Sequence, residues 1–396
     1  MATMDPHGHA KIFRSRNVMK KPTLLILILL SKLLASWFAI HFYTQLTVVS
    51  DPFNYARASY SGVFFESRTA FIGNFAGLLA RNLGENAPHY IFSMISGFAI
   101  WGLLIQTSWS VTKILLPLLF LPTITMWTGL VSKESLAASA TAVVLMIWIQ
   151  IIQRRENLVS VGILGLALSL YAFVRPHYCV GAAVLVGGTW ILRPNIGGGS
   201  PFKGVSIPKF SEGVLCLFLF LILLITHKQI AAGLGKIISQ ALVYFAYPDG
   251  ASSRNNWLKW SEPADFYYST WWGIPFSIIG PLPSEVIKRP KMVFAFVEGL
   301  IIFLLPLAAF IAFVRKIKRT PDQNLRYLYR IFFIILPVTT GFLFLVHAPF
   351  GTVNSGSAVR YRVGFEYLVT ITWLYIALEI SRHHRNIILN RCVTAE

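Results

Sequence analysis

The chain of 396 residues has few charged residues and very few cysteines. Asp, Glu, Lys and Arg make up only 13% of it, and 55% of its residues are hydrophobic. Soluble globular domains carry about 25% charged residues, so this composition excludes an ordinary soluble domain and predicts a polytopic membrane protein. The three cysteines show no C-x-x-C spacing, which argues against a disulfide framework and against a thiolate metal site.

Metal-binding and nucleic-acid-binding patterns are also missing. The histidines form no H-x-x-H or H-E-x-x-H motif, so the sequence predicts no protein-built metal site. We expect no resident cofactor, although a divalent metal held by substrate phosphates stays compatible with the sequence. The net charge of +19 does not predict nucleic-acid binding, because the positive residues are scattered between apolar segments. In that arrangement they set the orientation of the chain in a membrane.

Ten apolar segments approach the roughly 20 residues that a membrane span requires. They are roughly 22–48, 91–108, 114–131, 135–152, 158–174, 177–192, 212–226, 292–314, 330–347 and 365–381. They predict an all-α fold with one transmembrane domain over residues 1–396. Its long outer loops are 49–90 and 227–291, each with amphipathic stretches that we expect to lie along the membrane interface. A linker at 193–211 and a loop at 315–329 are predicted on the inner side.

The positions of Lys and Arg predict that both ends of the chain are cytoplasmic. Twenty of the 35 lie in the predicted inner segments and four in the short outer connections. The long outer loops are left out of this comparison, because long loops do not follow the positive-inside rule. The basic stretch before the first span has no small-residue cleavage site, which is typical of a retained anchor.

Ionisable residues of the predicted outer turns come from different hairpins but share one face of the bundle. They are Asp51, Lys133, Glu134, Arg175, His177, His347, Arg360, Arg362 and Glu366. Ionisable groups at membrane depth are costly and usually line a polar cavity or a substrate path. The sequence therefore predicts that these turns converge on one outward-facing cavity.

Each of these residues also has a structural interpretation. Asp51 can cap the helix that follows it, and Lys133 with Glu134 can form a surface ion pair of little energetic value. Arg175 can be a snorkelling arginine at the membrane interface. The two arginines of "SGSAVRYR" can bind lipid phosphates non-specifically.

A carboxylate facing several arginines suits sugar transfer from a lipid-phosphate carrier. Guanidinium groups bind phosphate oxygens in a bidentate manner, and a carboxylate can deprotonate an attacking hydroxyl. Asp51 is the first candidate base, with Glu134 as a second catalytic candidate and Glu66 as a further alternative. The predicted phosphate and substrate ligands are Lys133, Arg175, His177, Arg360 and Arg362.

The motifs "MWTGLVSKESL", "FVRPHY", "IPFSIIGPLPSE" and "SGSAVRYR" resemble those of EpsG- and Wzy-like polysaccharide polymerases, within the GT-C superfamily of polyprenyl-linked glycosyltransferases. The resemblance implies an acidic residue after the first span, at Asp51, and periplasmic arginines that hold a pyrophosphate, at Arg175, Arg360 and Arg362. The frequent paired acidic residues of that family are absent, since Pro52 follows Asp51.

The resemblance further implies a bacterial inner-membrane enzyme with a polyprenyl-linked sugar donor and a glycan or lipid-linked acceptor. Such an enzyme can work within a polysaccharide-assembly complex. Tyr55, Trp260, Trp271 and Trp272 are candidates for stacking on sugars or for anchoring the chain at the membrane interface. Two other classes stay open: a transporter or flippase of lipid-linked oligosaccharide, and a non-catalytic scaffold.

Overall fold

The computed structural model describes residues 21–43, 45, 50–58, 64, 66–193, 232, 265–314, 323–353 and 355–393. Within these residues every regular element is helical and none is a strand, so the predicted all-α class is confirmed there. The helices are α1 (Lys21–Phe38), α2 (Ser50–Ala56), α3 (Arg68–Leu83), α4 (Ala87–Leu104), α5 (Trp109–Leu119), α6 (Pro122–Thr128), α7 (Lys133–Gln153), α8 (Leu158–Val174), α9 (Pro176–Ile191), α10 (Asp265–Ile279), α11 (Pro283–Lys288), α12 (Val293–Val314), α13 (Gln323–Arg330), α14 (Leu336–Val353), α15 (Ser355–Arg362) and α16 (Glu366–Val393).

Five helical stretches in the described residues are long and apolar enough to cross a membrane. They are Lys21–Tyr43, Ala87–Leu104, Lys133–Gln153, Pro290–Val314 and Leu325–Gly351. Two bent pairs, α5 with α6 and α15 with α16, raise the number to seven if each pair is one span. Apolar side chains on the outside fit this assignment, since Leu34 of α1 is 65% exposed and Leu307 of α12 is 52% exposed. The chain is therefore a membrane protein.

The predicted span 114–131 is not one straight helix. Helix α5 ends at Leu119, α6 begins at Pro122, and the two axes differ by 77°. A proline disfavours helical geometry in the residue before it, and Leu121 has φ −54° and ψ 140°. The proline therefore explains why the chain turns sharply here.

Several other predicted segments differ from a full span or fall elsewhere. The segments 158–174 and 177–192 correspond to α8 and α9, which have 17 and 16 residues. The predicted span 212–226 lies outside the described residues, as does most of the outer loop 227–291 up to Asp265. The amphipathic stretch at 67–84, in the predicted outer loop 49–90, contains α3. Its location at the membrane interface stays a prediction.

Helix α7 lies in the centre of the fold and positions the site described below. It packs against α4 and α8, and its first half buries a series of small residues. They are Ala137, Ala138, Ala140 and Ala142. Small side chains let helix backbones approach closely. At one end of the bundle, the start of α7 therefore meets the corner between α8 and α9 and the end of α15.

Candidate functional site

Five of the predicted site residues form one cluster at an end of the helical bundle. They are Asp51, Lys133, Glu134, Arg175 and Arg360, and we call them the charge cluster. They come from four parts of the chain: the first turn of α2, the first turn of α7, the corner between α8 and α9, and the last turn of α15. The structure thus brings together residues that are more than 300 positions apart in sequence.

Local sequence fixes two of these four positions. Ser132 is the N-cap of α7, and its hydroxyl accepts a hydrogen bond of 3.0 Å from the Ser135 amide. This cap places Glu134 in the first turn, where the helix dipole favours a negative charge. Arg175 ends α8 in a non-helical conformation, and Pro176 opens α9, a position in which proline is common. The side chain of Arg175 therefore lies at a corner.

Glu134 holds two arginines from a fully buried position. Its side chain is 0% exposed, and its Oε1 accepts a hydrogen bond from Arg175 Nη2. The same oxygen lies 3.0 Å from Arg360 Nε. Removing one partner of a buried ion pair is strongly destabilising, because it leaves an uncompensated charge. Glu134 therefore fixes the positions of both guanidinium groups.

Arg360 connects this buried carboxylate to an exposed one. Its Nη1 donates a hydrogen bond of 2.6 Å to Asp51 Oδ2, and the Asp51 side chain is 44% exposed. The guanidinium also lies over the Trp127 ring, 5.1 Å from the ring centre. Arg175 lies 4.3 Å from the centre of the Tyr361 ring, a distance typical of a cation–π contact. The result is a continuous chain of ion pairs from Asp51 through Arg360 and Glu134 to Arg175.

Further cations give the charge cluster a positive surplus. Lys133 Nζ donates a hydrogen bond of 2.7 Å to Thr69 Oγ1 at the start of α3. The neighbouring Arg68 acts electrostatically on Lys133, and its Nη1 lies 3.5 Å from the Val174 carbonyl oxygen. Four cations thus face two carboxylates. A surplus of this kind favours an anionic ligand.

Tyr55 lies beside Asp51 as a neutral hydrogen-bonding group. Burial, together with the negative charge of Asp51, raises the pKa of Tyr55 to about 12. The hydroxyl is hydrogen-bonded to Thr69, and the residue is only 7% exposed. Because so little of the ring is accessible, the geometry does not favour stacking of Tyr55 on a sugar.

Arg362 lies apart from the charge cluster. Its buried guanidinium donates hydrogen bonds to the carbonyl oxygens of Ile278, Ile279 and Ala295, at 2.7, 3.2 and 3.1 Å. It also lies 3.7 Å from Glu298 and 3.9 Å from Glu366. Its Nη1 and Nη2 donors are therefore engaged by α10 and α12, and its Nε lies near Glu366 of α16. We exclude Arg362 from the phosphate ligands proposed below.

The other predicted residues lie at the border of the site or away from it. His177 packs on Phe350, with ring centres 5.5 Å apart, and its buried Nε2 has no hydrogen-bond partner. Glu66 is exposed just before α3. Trp271 and Trp272 are 79% and 57% exposed on α10, and Trp260 lies outside the described residues.

Sequence reasoning missed four residues that contact the cluster. They are Arg68, Thr69, Trp127 and Tyr361. The first two belong to a long outer loop that was left out of the charge count. The last two stood inside quoted motifs, and an aromatic residue beside an arginine is the signal that points to them.

Among the described residues, no group of three or more His, Cys, Asp or Glu side chains is arranged to hold a metal ion. No family model, curated protein or solved structure matches the chain. The resemblance to GT-C enzymes thus stays a prediction based on short motifs. The charge cluster itself is the feature that indicates a function.

Proposed function

We propose that the chain is a membrane glycosyltransferase or oligosaccharide-unit polymerase with a polyprenyl-phosphate- or diphosphate-linked sugar donor. The ion-pair chain from Asp51 through Arg360 and Glu134 to Arg175 carries this proposal. It combines an exposed carboxylate, suited to proton abstraction, with two arginines held by a buried carboxylate. Such a preorganised positive group suits the charge that develops on a leaving phosphate.

Asp51 acts as the general base in this proposal. It takes the proton of the acceptor hydroxyl while the hydroxyl oxygen forms a bond to the anomeric carbon of the donor. The bond between that carbon and the phosphate oxygen breaks, and its electron pair stays on the phosphate. Arg360, Arg175 and Lys133 bind the phosphate oxygens. Exposure favours Asp51 over Glu134 as the base, because the Glu134 side chain is fully buried.

Arg360 couples donor binding to activation of the base. Its Nη1 donates a hydrogen bond to Asp51. A donor phosphate competes for this guanidinium and frees the Asp51 carboxylate to accept a proton from the acceptor. Glu134 keeps Arg360 in place during the exchange, through the contact at Nε. Glu134 is therefore a positioning residue.

The proposed setting is the bacterial inner membrane. Ten spans with both termini in the cytoplasm place the charge cluster on the outer face, and the lipid tail of the donor lies between helices. A glycan or a lipid-linked glycan is the acceptor, and the enzyme can belong to a polysaccharide-assembly complex. Any divalent metal would be bound mainly by the substrate phosphates.

Deletion and complementation in the source organism test this function. Gel analysis of surface polysaccharide after deletion should give a single-unit band for a polymerase or a truncated unit for a single-sugar transferase. Complementation with Asp51→Asn should leave product formation reduced by about 10²–10⁴-fold, the usual effect of removing a general base. Glu85→Gln is the control, because Glu85 forms an exposed ion pair with Arg57. Normal product from Asp51→Asn would remove Asp51 from the mechanism.

A flippase of lipid-linked oligosaccharide is the second candidate, favoured by ionisable groups inside the spans. Lys32 of α1 is fully buried, and its Nζ donates a hydrogen bond of 2.7 Å to Thr128 Oγ1. Its head group is therefore held inside the bundle and does not snorkel to the membrane surface. Loss of a flippase would leave no unit on the outer surface, whereas loss of a polymerase leaves single units there.

A further inference from the structure

A second polar site lies at the opposite end of α7 from the charge cluster. The 21 residues of α7 correspond to about 30 Å of helix. At its far end, a cavity of about 310 Å³ lies between the end of α7, the second half of α13 and the middle of α16. Its lining includes Gln153, Arg154, Tyr327, Tyr375, Glu379 and His383. The proposed glycosyl transfer uses none of these residues.

The backbone of Arg154 adopts a conformation that an arginine does not favour. It is the C-cap of α7, with φ 57° and ψ 39° in the left-handed region. Among the described residues it is the only non-glycine with positive φ. Glycine or asparagine is usual at such helix ends, because other side chains are strained there. Helix termination therefore does not explain an arginine at this position.

One nitrogen of the partly buried Arg154 guanidinium has no partner in the protein. Its Nη2 atom is buried and has no hydrogen-bond partner. The acidic residues of this region pair with other arginines: Glu156 with Arg193, and Glu379 with Arg382 at 3.8 Å. A buried polar atom without a partner costs free energy. The unused donor thus points to a ligand that supplies an acceptor.

Gln153 supplies a hydrogen-bond acceptor in the same cavity, whereas Arg154 supplies a donor. Its Nε2 donates hydrogen bonds to the Gln106 carbonyl oxygen, at 3.0 Å, and to the Tyr375 hydroxyl, at 3.1 Å. Its Oε1 is buried and has no partner. A simple anion would satisfy Arg154 but not this oxygen. The complementary ligand carries both a negative group and a hydroxyl donor.

We infer that this cavity binds a phosphate ester with free hydroxyl groups, its phosphate on Arg154 and a hydroxyl on Gln153 Oε1. The planar guanidinium matches phosphate oxygens, and His383 lines the same cavity as a further candidate donor. Two sources supply this chemistry, a phosphatidylglycerol head group and a soluble glycerol phosphate. The inference is independent of the proposed function.

Thermal unfolding of the purified full chain in lipid nanodiscs tests the inference. One set of nanodiscs contains phosphatidylcholine only and is titrated with glycerol 3-phosphate at constant ionic strength. The other set contains increasing fractions of phosphatidylglycerol. The wild type should show a saturable rise in Tm with at least one of the two ligands. A rise with glycerol 3-phosphate identifies the soluble ester, and a rise only with phosphatidylglycerol identifies the lipid.

Two asparagine variants separate the site from general charge effects. Arg154→Asn removes the guanidinium, and asparagine tolerates the left-handed conformation, so the fold should persist. The concentration for a half-maximal Tm rise should increase about tenfold or more, as expected for loss of a charged hydrogen bond. Arg155→Asn removes the same charge from the exposed neighbour and should respond like the wild type.

Arg154→Gly replaces the asparagine variant if that variant does not fold. The inference is overturned if neither ligand gives a saturable Tm rise in the wild type. It is equally overturned if the variants at positions 154 and 155 respond alike.

Discussion

At the scale of single residues, Asp51 and Glu134 carry the same charge in very different surroundings. Glu134 is fully buried between two guanidinium groups, whereas the Asp51 side chain is 44% exposed and contacts Arg360. From sequence alone both were candidate bases, because sequence does not reveal exposure at a helix end. The structural difference separates a group that meets substrate from one that holds other side chains.

Neutral variants of these two residues should differ in stability. Glu134→Gln leaves Arg175 and Arg360 without their shared counter-charge and should lower stability by about 3 kcal/mol. Asp51→Asn should leave Tm close to that of the wild type, because the ion pair of Asp51 with Arg360 is partly exposed. Thermal unfolding at one scan rate measures both variants. Equal Tm values would contradict the positioning role of Glu134.

Replacing Arg360 by lysine tests whether geometry or charge matters at the cluster. Arg360→Lys keeps the charge but loses the planar fork that reaches Asp51 and Glu134 together. We expect product formation to fall by about 10²-fold, the lower end of the effect of removing one transition-state donor. Arg57→Lys, at an exposed ion pair, is the matched control. Wild-type turnover by Arg360→Lys would argue against phosphate clamping.

The position of Arg362 differs from the predicted position among the phosphate ligands. The sequence predicts that "RYR" lies in an outer turn, in which both arginines can point to one cavity. In the structure it ends helix α15, and residues two positions apart on a helix do not share a face. Arg360 therefore faces Asp51, while Arg362 faces the carbonyl oxygens of α10.

At the scale of helices, α10 and α12 approach each other closely around Gly299. A Cβ atom on Gly299 would overlap the carbonyl oxygen of Ile279, the last residue of α10. It would also lie 2.6 Å from Arg362 Nη1. Only glycine lets these helices and Arg362 meet without displacement. The sequence did not predict this contact, because α10 lies within residues 227–291, which were predicted to be an outer loop.

Alanine substitution should distinguish this glycine from one in open space. Gly299→Ala must displace backbone and should destabilise the fold by about 1–3 kcal/mol. Gly162→Ala in α8 meets no atom within 4 Å and should stabilise the helix by about 0.5–1 kcal/mol. Measured at the same scan rate, Tm should fall for Gly299→Ala and rise for Gly162→Ala. A lower Tm for both variants would show that helix packing at Gly299 is not the cause.

At the scale of the whole molecule, hydropathy predicted the helical class. The positions of nine ionisable residues in the outer turns predicted one shared cavity, and five of the nine meet in the charge cluster. Hydropathy did not predict the number of straight spans. Pro122 breaks the segment 114–131 into two helices with a 77° bend, and hydropathy averages over such a break. The sequence did not point to Arg68, because long loops do not follow the positive-inside rule and their cations are therefore not part of the orientation count.

The orientation of the whole chain can be tested at the two ends of α7. This helix has 21 residues, enough for one crossing of a bilayer core of about 30 Å. Exposed Glu66 is near the cluster end, because Lys133 is hydrogen-bonded to Thr69, three positions further on. Exposed Arg155 is two residues beyond the other end of α7. Cysteines at positions 66 and 155 should therefore lie on opposite sides of the membrane.

Labelling with a membrane-impermeant maleimide reads out this orientation in a background where Cys179, Cys216 and Cys392 are serine. Glu66→Cys should be labelled in intact cells, and Arg155→Cys only after permeabilisation, because the excess of positive residues lies at the inner end. The reverse pattern would place the charge cluster in the cytoplasm, where an outer-face sugar transfer is impossible. Labelling of both positions in intact cells would contradict the crossing of α7 itself. The two variants thus test the orientation separately from the chemistry of the cluster.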